Sequence, residues 1–514
     1  MSKKRFLFLT AVLSLITGFL SAGGSRNRET GQDADKPMVI TTMGWQYAPI
    51  AEHPKMIEYW NKMFNVDIRA WNADNTQYTQ QLNLHFAANE IPDFFRANLN
   101  DMRTYHEQQI LAEIPEGLMR EKLPNIVKDF TETMPDWLRY VKIDGKIYML
   151  PGELRKAAGV RNPLVYRGDW IKNVGLSGTP GTLAEFEELV YRFTNNDPDR
   201  NNRKDTYGLS STAFEAVYGA YGYMRNQWHE KNGQLVYSSI QPEMKEALGV
   251  LAKWYQDGVI DPEFITGENK GGYWALSHSF IEGRIGVSSM GMYYHWYIPN
   301  ESSNANYNEM LNTNPEGAAN ITYGEPVTGP EGKKGLWAGV PMATGDMFAV
   351  GIQLEKDPAK MAKIFEMQNY FWESDQNYLT AYYGIRGEDW DYGPLGNPVS
   401  HPDKMGNWGP SQGAHVFMLR FRGNQDLRLL EPVREPFLQQ NNFYSNGIST
   451  KLIVPLPSAG IYQTELNKIE DEAYLAIITG ERPLSYFDQF VVQWKASGGD
   501  VLYKEANDWW NSMK

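Results

Sequence analysis

Between Met38 and Asn98 the hydrophobic period switches again and again, and this restricts the chain's architecture more than any other feature. "MVITTMGW" alternates β-branched and apolar residues like a strand, and "PKMIEYWNKMF" repeats its apolar positions at i, i+3 and i+4 like a helix. "VDIRAW" is a second strand, "YTQQLNLHFAANE" a second helix, and "IPDFFRAN" a third strand after a proline. Period two alternating with period 3.6 in this order is the grammar of a parallel sheet covered by helices. Single cores stop growing at roughly 250–300 residues, so a chain of 514 residues calls for at least two such lobes.

Further along, "IDGKIYMLP" turns at Asp144-Gly145, and "NPLVYRGDWIKNVGL" restarts the strand pattern, which places a crossing into a second lobe there. "PGTLAEFEELVYRFTNND" reads as a helix with Thr182 as N-cap and Glu185 at the reciprocal capping-box position. "PEMKEALGVLAKWYQDGVID" is an amphipathic helix stopped by Gly258, and "DPAKMAKIFEMQNYFWES" is another, opened by Asp357 and Pro358. Trp60, Trp254, Trp372, Trp509 and Trp510 lie on such helices and are assigned to packing.

The formal net charge of −13 argues against a nucleic-acid backbone or an anionic membrane surface as the main partner. There is no cysteine, which removes disulfides, thiolate metal sites and thiol nucleophiles. The first residues have a basic start (Lys3, Lys4, Arg5) and an apolar run from Phe6 to about Leu20, the pattern of an export signal over 1–22. Residues 23–37 are polar and aperiodic, like a disordered tether. "LSAGGS" reads like a lipoprotein cleavage box with Gly23 in place of the lipid-bearing Cys. Either the chain is released or that Cys has been replaced, and a plain signal ending in small residues fits equally. The expected location is extracellular or at the cell surface.

Catalytic patterns are weak. "GVSSMG" is one residue too long for a Gly-x-Ser-x-Gly elbow, and "HEQQI" and "HEKNG" lack the second His of a zinc-protease helix. "GPEGKKG" lacks the spacing of a phosphate loop, and "GEDWD" reads as a solvated turn. No enzymatic activity is expected. The rival classes are a secreted polysaccharide-degrading glycosidase or lyase, and a glycan-binding sensor or adhesin.

"NNDPDRNNRKDTYGL" offers oxygens at Asp197, Asp199, Asn201, the Arg203 carbonyl and Asp205, the first five ligand positions of an EF-hand calcium loop. Asn202 stands where that loop has Gly, and Gly208 where it has the bidentate Glu. The stretch is either a structural calcium clip or an Asx-rich turn.

Nine segments in order resemble one family: "LSAGGS", "NEIPDFF", "DGKIYMLP", "YRGDWIKNVGL", "TLAEFEELVYRFTNNDPDRNNRKDTYGL", "WYQDGVIDPEF", "FIEGRIGV", "YYGIRGEDWDY" and "ITGERPLSYFDQFVVQWKASGGD". They resemble the extracellular solute-binding proteins of ABC importers, in particular the large lipoprotein-type oligosaccharide binders that include the alginate-binding proteins. The resemblance implies an α/β, two-lobed periplasmic-binding-protein fold (class II) whose lobes close on a sugar and present it to the permease subunits. It places the first lobe at 38–150 with 290–345 and the second at 151–289 with 346–514, in a chain expected to act as a monomer. It also implies a structural Ca2+ on the Asp197–Asp205 loop, although family members often carry an acidic ligand where this chain has Thr206.

A sugar cleft needs aromatic platforms and planar polar groups, and loops that follow strands are where ligands sit in open α/β sheets. That rule selects Trp45 and Tyr47, Arg96 and Asn98, Glu153 and Arg155, and Tyr293, His295 and Trp296 as substrate-binding residues. Trp228, Trp274, Trp337 and Trp408, in polar, Gly-rich surroundings, are further platforms.

Overall fold

The computed structural model describes residues 36–46, 48–74, 77–152, 154, 159–266, 277–296, 305–339, 342, 344, 347–394, 396–406, 408–414, 437–443 and 445–512. The expected export signal, most of the tether, Tyr47, Glu153, Arg155 and Trp274 lie outside them.

Met38–Lys514 forms one compact unit containing two α/β sheets, each with its own core. Strand β1 (Met38–Gln46) runs parallel to β2 (Val66–Asp74), with Met38 opposite Val66, and parallel to β3 (Phe94–Ala97), with Thr42 opposite Phe94. The crossover helix Lys55–Phe64 turns Met56, Ile57 and Trp60 inward and ends at Asn65 in the left-handed conformation. Every residue of β3 is buried, as expected of a strand covered on both faces. Strand Met347–Val350 then pairs antiparallel with β3, and Leu150–Pro151 forms the edge beyond it.

In the second sheet the order is Ile321–Gly324, Leu164–Arg167, Ile285–Ser288, Tyr207–Leu209. Helix Leu183–Asn195 covers it, opened by the expected capping box: the Glu185 N–H donates to Thr182 Oγ1 at 3.2 Å, and the Thr182 N–H to Glu185 Oε2 at 3.0 Å. The strand Ile285–Ser288 meets this helix through Gly286, where any Cβ would stand 2.0 Å from the Phe193 ring. Helices Ala459–Ile478, Tyr486–Trp494 and Asp500–Ser512 complete the second core with Leu466, Phe490 and Trp494.

The expected lobe boundaries need correcting. Ile321–Gly324, assigned to the first lobe, pairs with Leu164–Arg167 in the second sheet. Met347–Val350, assigned to the second lobe, lies in the first sheet, and helices Pro358–Tyr370 and Asp375–Tyr383 bury Ile364, Phe365 and Leu379 in the first core. Among the described residues the first core therefore takes 342–414 and Ile453, and the second keeps 160–338 and 437–506 apart from Ile453 and Val454. The reason is that β3 has an open edge which the Met347–Val350 strand fills. Among the described residues no helix is long and apolar enough to cross a membrane.

Candidate functional site

The strand Tyr207–Leu209 ends in a tight turn, where Ser210 Oγ accepts from the Thr212 N–H at 3.4 Å, and helix Phe214–Ala220 follows. This helix carries Gly219, whose Cβ, if it had one, would be 1.8 Å from the Gly335 carbonyl oxygen. Close approach of the two glycines lays the chain before Trp337 against the helix. Strand Leu336–Trp337 pairs in parallel with Gly447–Ile448. Its outer hydrogen bonds run from the Leu336 N–H to the Asn446 carbonyl and from the Ala338 N–H to the Ile448 carbonyl. The Trp337 N–H points the other way and donates to the Glu215 carboxyl.

Between these elements lies a cavity of about 300 Å3 lined by Phe214, Glu215, Tyr218, Arg225, Gln227 and Trp337, among others. That volume is at the lower end for a ligand pocket and admits a sugar unit. Burial pushes the Glu215 carboxyl up to about 7, and its Oε2 has no hydrogen-bond partner. Arg225 donates from Nε to Glu470 Oε1 at 2.5 Å and also pairs with Asp471, and its guanidinium lies 4.5 Å from the Tyr474 ring centroid. The aromatic wall supplies faces for a pyranose ring, and the polar groups supply orientation.

Of the residues expected to bind sugar, Trp337 lines this cavity. Trp45 is the penultimate residue of β1, two positions before Tyr47, which lies outside the described residues. Arg96 is buried in β3, where its carbonyl accepts from the Tyr78 hydroxyl at 2.7 Å, and Asn98 caps the following turn by accepting from the Asn100 N–H at 2.9 Å. Tyr293 is half-buried and its N–H donates to the Arg161 carbonyl. Trp408, half-buried in the first lobe, has the Lys404 and Lys55 ammonium groups 5.3 and 5.9 Å from its ring centroid.

Three of the expectations are corrected. Trp228 packs between Tyr237 and Tyr503, at 5.3 and 5.5 Å between ring centroids, because its strand forms a hairpin closed over the second core. Trp296 is fully buried against Phe280 and donates from Nε1 to the Met290 carbonyl at 2.7 Å. His295 is fully buried too, and burial, aided by Arg161, lowers its pKa to about 4. Glu215, Arg225 and Gln227 were not anticipated. Searching the loop after a strand would have found Glu215 if applied to "TYGLS".

In the Asp197–Asp205 loop, Asn201 draws the acidic side chains together. Its N–H donates to Asp197 Oδ1 at 3.1 Å, and its Nδ2 to Asp199 at 2.7 Å and Asp205 at 3.2 Å. Asn202 adopts φ 59°, the left-handed backbone that the EF-hand pattern demands at its sixth position. Burial and the neighbouring Asp197 and Asp205 raise the Asp199 pKa, a repulsion that a divalent cation removes. Thr206 turns inward instead, donating to the Phe193 carbonyl at 2.9 Å. Among the described residues no three His, Cys, Asp or Glu side chains gather into a metal site by themselves, so a cation here must draw on Asn201 and a carbonyl as well.

Two α/β sheets, each with its own core, make up the described fold. No family model matches the chain. It is 23% identical over 535 residues to the polygalacturonan/rhamnogalacturonan-binding protein YtcQ of Bacillus subtilis (strain 168), covering 100% of both chains. It is 21% identical over 533 residues to lipoprotein LipO of the same organism, covering 100% of this chain and 99% of the other. Among solved structures, an HMO-binding ABC-transporter-associated solute-binding protein from Bifidobacterium longum infantis matches with a TM-score of 0.66 at 14% identity, over 93% of this chain and 99% of that one. Alginate-binding protein AlgQ2 without calcium ion matches with a TM-score of 0.61 at 17% identity, over 93% and 98%. The chain is a full-length relative of these Bacillus proteins and has the fold of the ABC-transporter solute-binding proteins.

Proposed function

We propose that this protein captures an oligosaccharide derived from a polysaccharide, closes its two lobes around it, delivers it to the permease of an ABC importer, and performs no chemistry on it. The carrying observation is the cavity beside Trp337, where aromatic walls and buried acceptor atoms converge just beyond the end of a second-sheet strand. The full-length relation to a protein named for binding polygalacturonan and rhamnogalacturonan supports the ligand class. Ligand contacts made by both lobes favour the closed form over the open one. Thermal-shift measurement against a panel of plant and algal oligosaccharides, with chromatography of the incubated sugars, tests this reading. A raised melting temperature without new products is expected, and turnover of any sugar overturns it.

Asp197, Asp199, Asn201, the Arg203 carbonyl and Asp205 are proposed to hold a structural Ca2+, which would join the end of helix Leu183–Asn195 to the strand at Tyr207. The protein acts as an exported monomer. It is anchored to the membrane only if a lipid-bearing Cys stands where this chain has Gly23.

A further inference from the structure

Among the buried side-chain atoms at the cavity, Glu215 Oε2 and Gln227 Oε1 lack a hydrogen-bond partner, and both are acceptors. Buried acceptors without donors are desolvated for no return, and a ligand that brings two hydroxyl donors restores what folding lost. Among the described lining residues the cation, Arg225, is already engaged: it is held by Glu470, by Asp471 and by the Tyr474 ring. Glu470 and Asp471 already neutralise this guanidinium, so it offers little attraction to a further anion beside the buried Glu215 carboxyl.

We propose that this cavity is a subsite for a neutral, hydroxyl-rich sugar unit, two of whose hydroxyls donate to Glu215 Oε2 and Gln227 Oε1, and that it discriminates against uronate units. The assignment rests on the oligosaccharide-binding reading and sharpens it. A hydroxyl satisfies either acceptor as a donor, whereas a ligand carboxylate is acceptor-only and confronts the buried Glu215 carboxyl. Burial pushes the Glu215 carboxyl up to about 7, so uronate entry is favoured by its protonated form and weakens as pH rises through that value. The charged and titratable groups around Glu215 are Tyr218 on its own helix and Arg225 on the cavity wall, with Glu470 and Asp471 behind that arginine.

The test uses the full chain and a matched pair of probes: an α-1,4-linked tetragalacturonate, and the same tetramer with its carboxyl groups reduced to alcohols. Both are titrated calorimetrically at a pH one unit above the Glu215 value, alongside the thermal-shift panel. Neutral sugars are expected to bind at least about tenfold more tightly than their uronate counterparts. The Glu215→Gln variant is expected to shrink that preference by about tenfold, and Gln227→Leu to weaken neutral ligands alone, with the unliganded melting temperature reporting whether each variant folds. Should the variants not fold, the unaltered protein still decides, because its uronate affinity must rise as pH falls through the Glu215 value while its neutral-sugar affinity does not. Equal or tighter uronate binding, with saccharides active in the panel, overturns the subsite assignment and leaves the binding-protein reading standing. A panel without any saccharide response overturns both.

Discussion

Replacing Glu470 by Gln removes the charge that holds Arg225 at the cavity and should weaken both the second lobe and sugar binding. Glu470 is fully buried on helix Ala459–Ile478; its Oε1 accepts from Arg225 Nε at 2.5 Å and its Oε2 from the Tyr237 hydroxyl at 2.9 Å. Burial opposes the Arg225 charge, but Glu470, Tyr218, Tyr474 and Asp471 outweigh it, and the guanidinium's pKa is raised. Removing one partner of a fully buried pair costs about 3–5 kcal/mol. Arg225 is 27% exposed and keeps the outer Asp471, so the expected loss is smaller, about 2–3 kcal/mol. Because the urea slope grows with chain size beyond the about 1–3 kcal/mol per molar of small proteins, the unfolding midpoint should fall by less than about 1 M. The assay is urea unfolding followed by tryptophan fluorescence for Glu470→Gln, Arg225→Met and the double variant. The double variant, which leaves no buried unpaired charge and only the exposed Asp471 without its partner, should be less destabilised than the sum of the singles. A coupling below about 0.5 kcal/mol would mean that the pair behaves like an exposed one, and the reasoning would be refuted.

Gly219→Ala should cost about 1–3 kcal/mol and weaken sugar binding, because the new methyl must push away the Gly335 backbone that positions Trp337; unchanged unfolding and titration would contradict this. His229 is held neutral, with burial and then Lys451 lowering its pKa to about 4 against an unfolded value near 6.5. Its contribution is therefore fully present above about pH 6.5 and is lost as pH falls toward the folded value; melting temperature should drop over that window, less steeply in His229→Gln. Chelation with EDTA should lower the melting temperature and leave the order of sugar preferences unchanged. Asp205→Asn should abolish the response to added calcium.

Much of the first lobe was legible because local periodicity reports which face of a segment is buried: β1, helix Lys55–Phe64, β2, helix Tyr78–Ala87 and β3 follow the pattern in order. Capping by Thr182 and Glu185 was legible for the same reason, since it involves groups three residues apart. Periodicity does not say which core a face will join. The apolar stripe of Pro358–Tyr370 suits either lobe, and its place was decided by the neighbouring strand filling the open edge of β3. Trp228 was misread because its polar, Gly-rich setting looked solvent-facing, and Trp296 because it follows a strand. Trp296 follows Gly291 in the chain yet is sealed beneath Phe280 and the Tyr323 hydroxyl.

By itself, then, the sequence determined the element types, an α/β class with two lobes, the export-signal pattern and the oxygen spacing of the Asp197–Asp205 loop, all of which depend on residues close together in the chain. Tertiary structure alone decided which segments share a core and where a ligand cavity lies. Glu215, Arg225, Trp337 and Glu470 meet only because Gly219 lets the Gly335 backbone approach its helix and because helix Ala459–Ile478 returns to the second core. Such distances arise from packing between remote segments, which no local pattern of residues encodes.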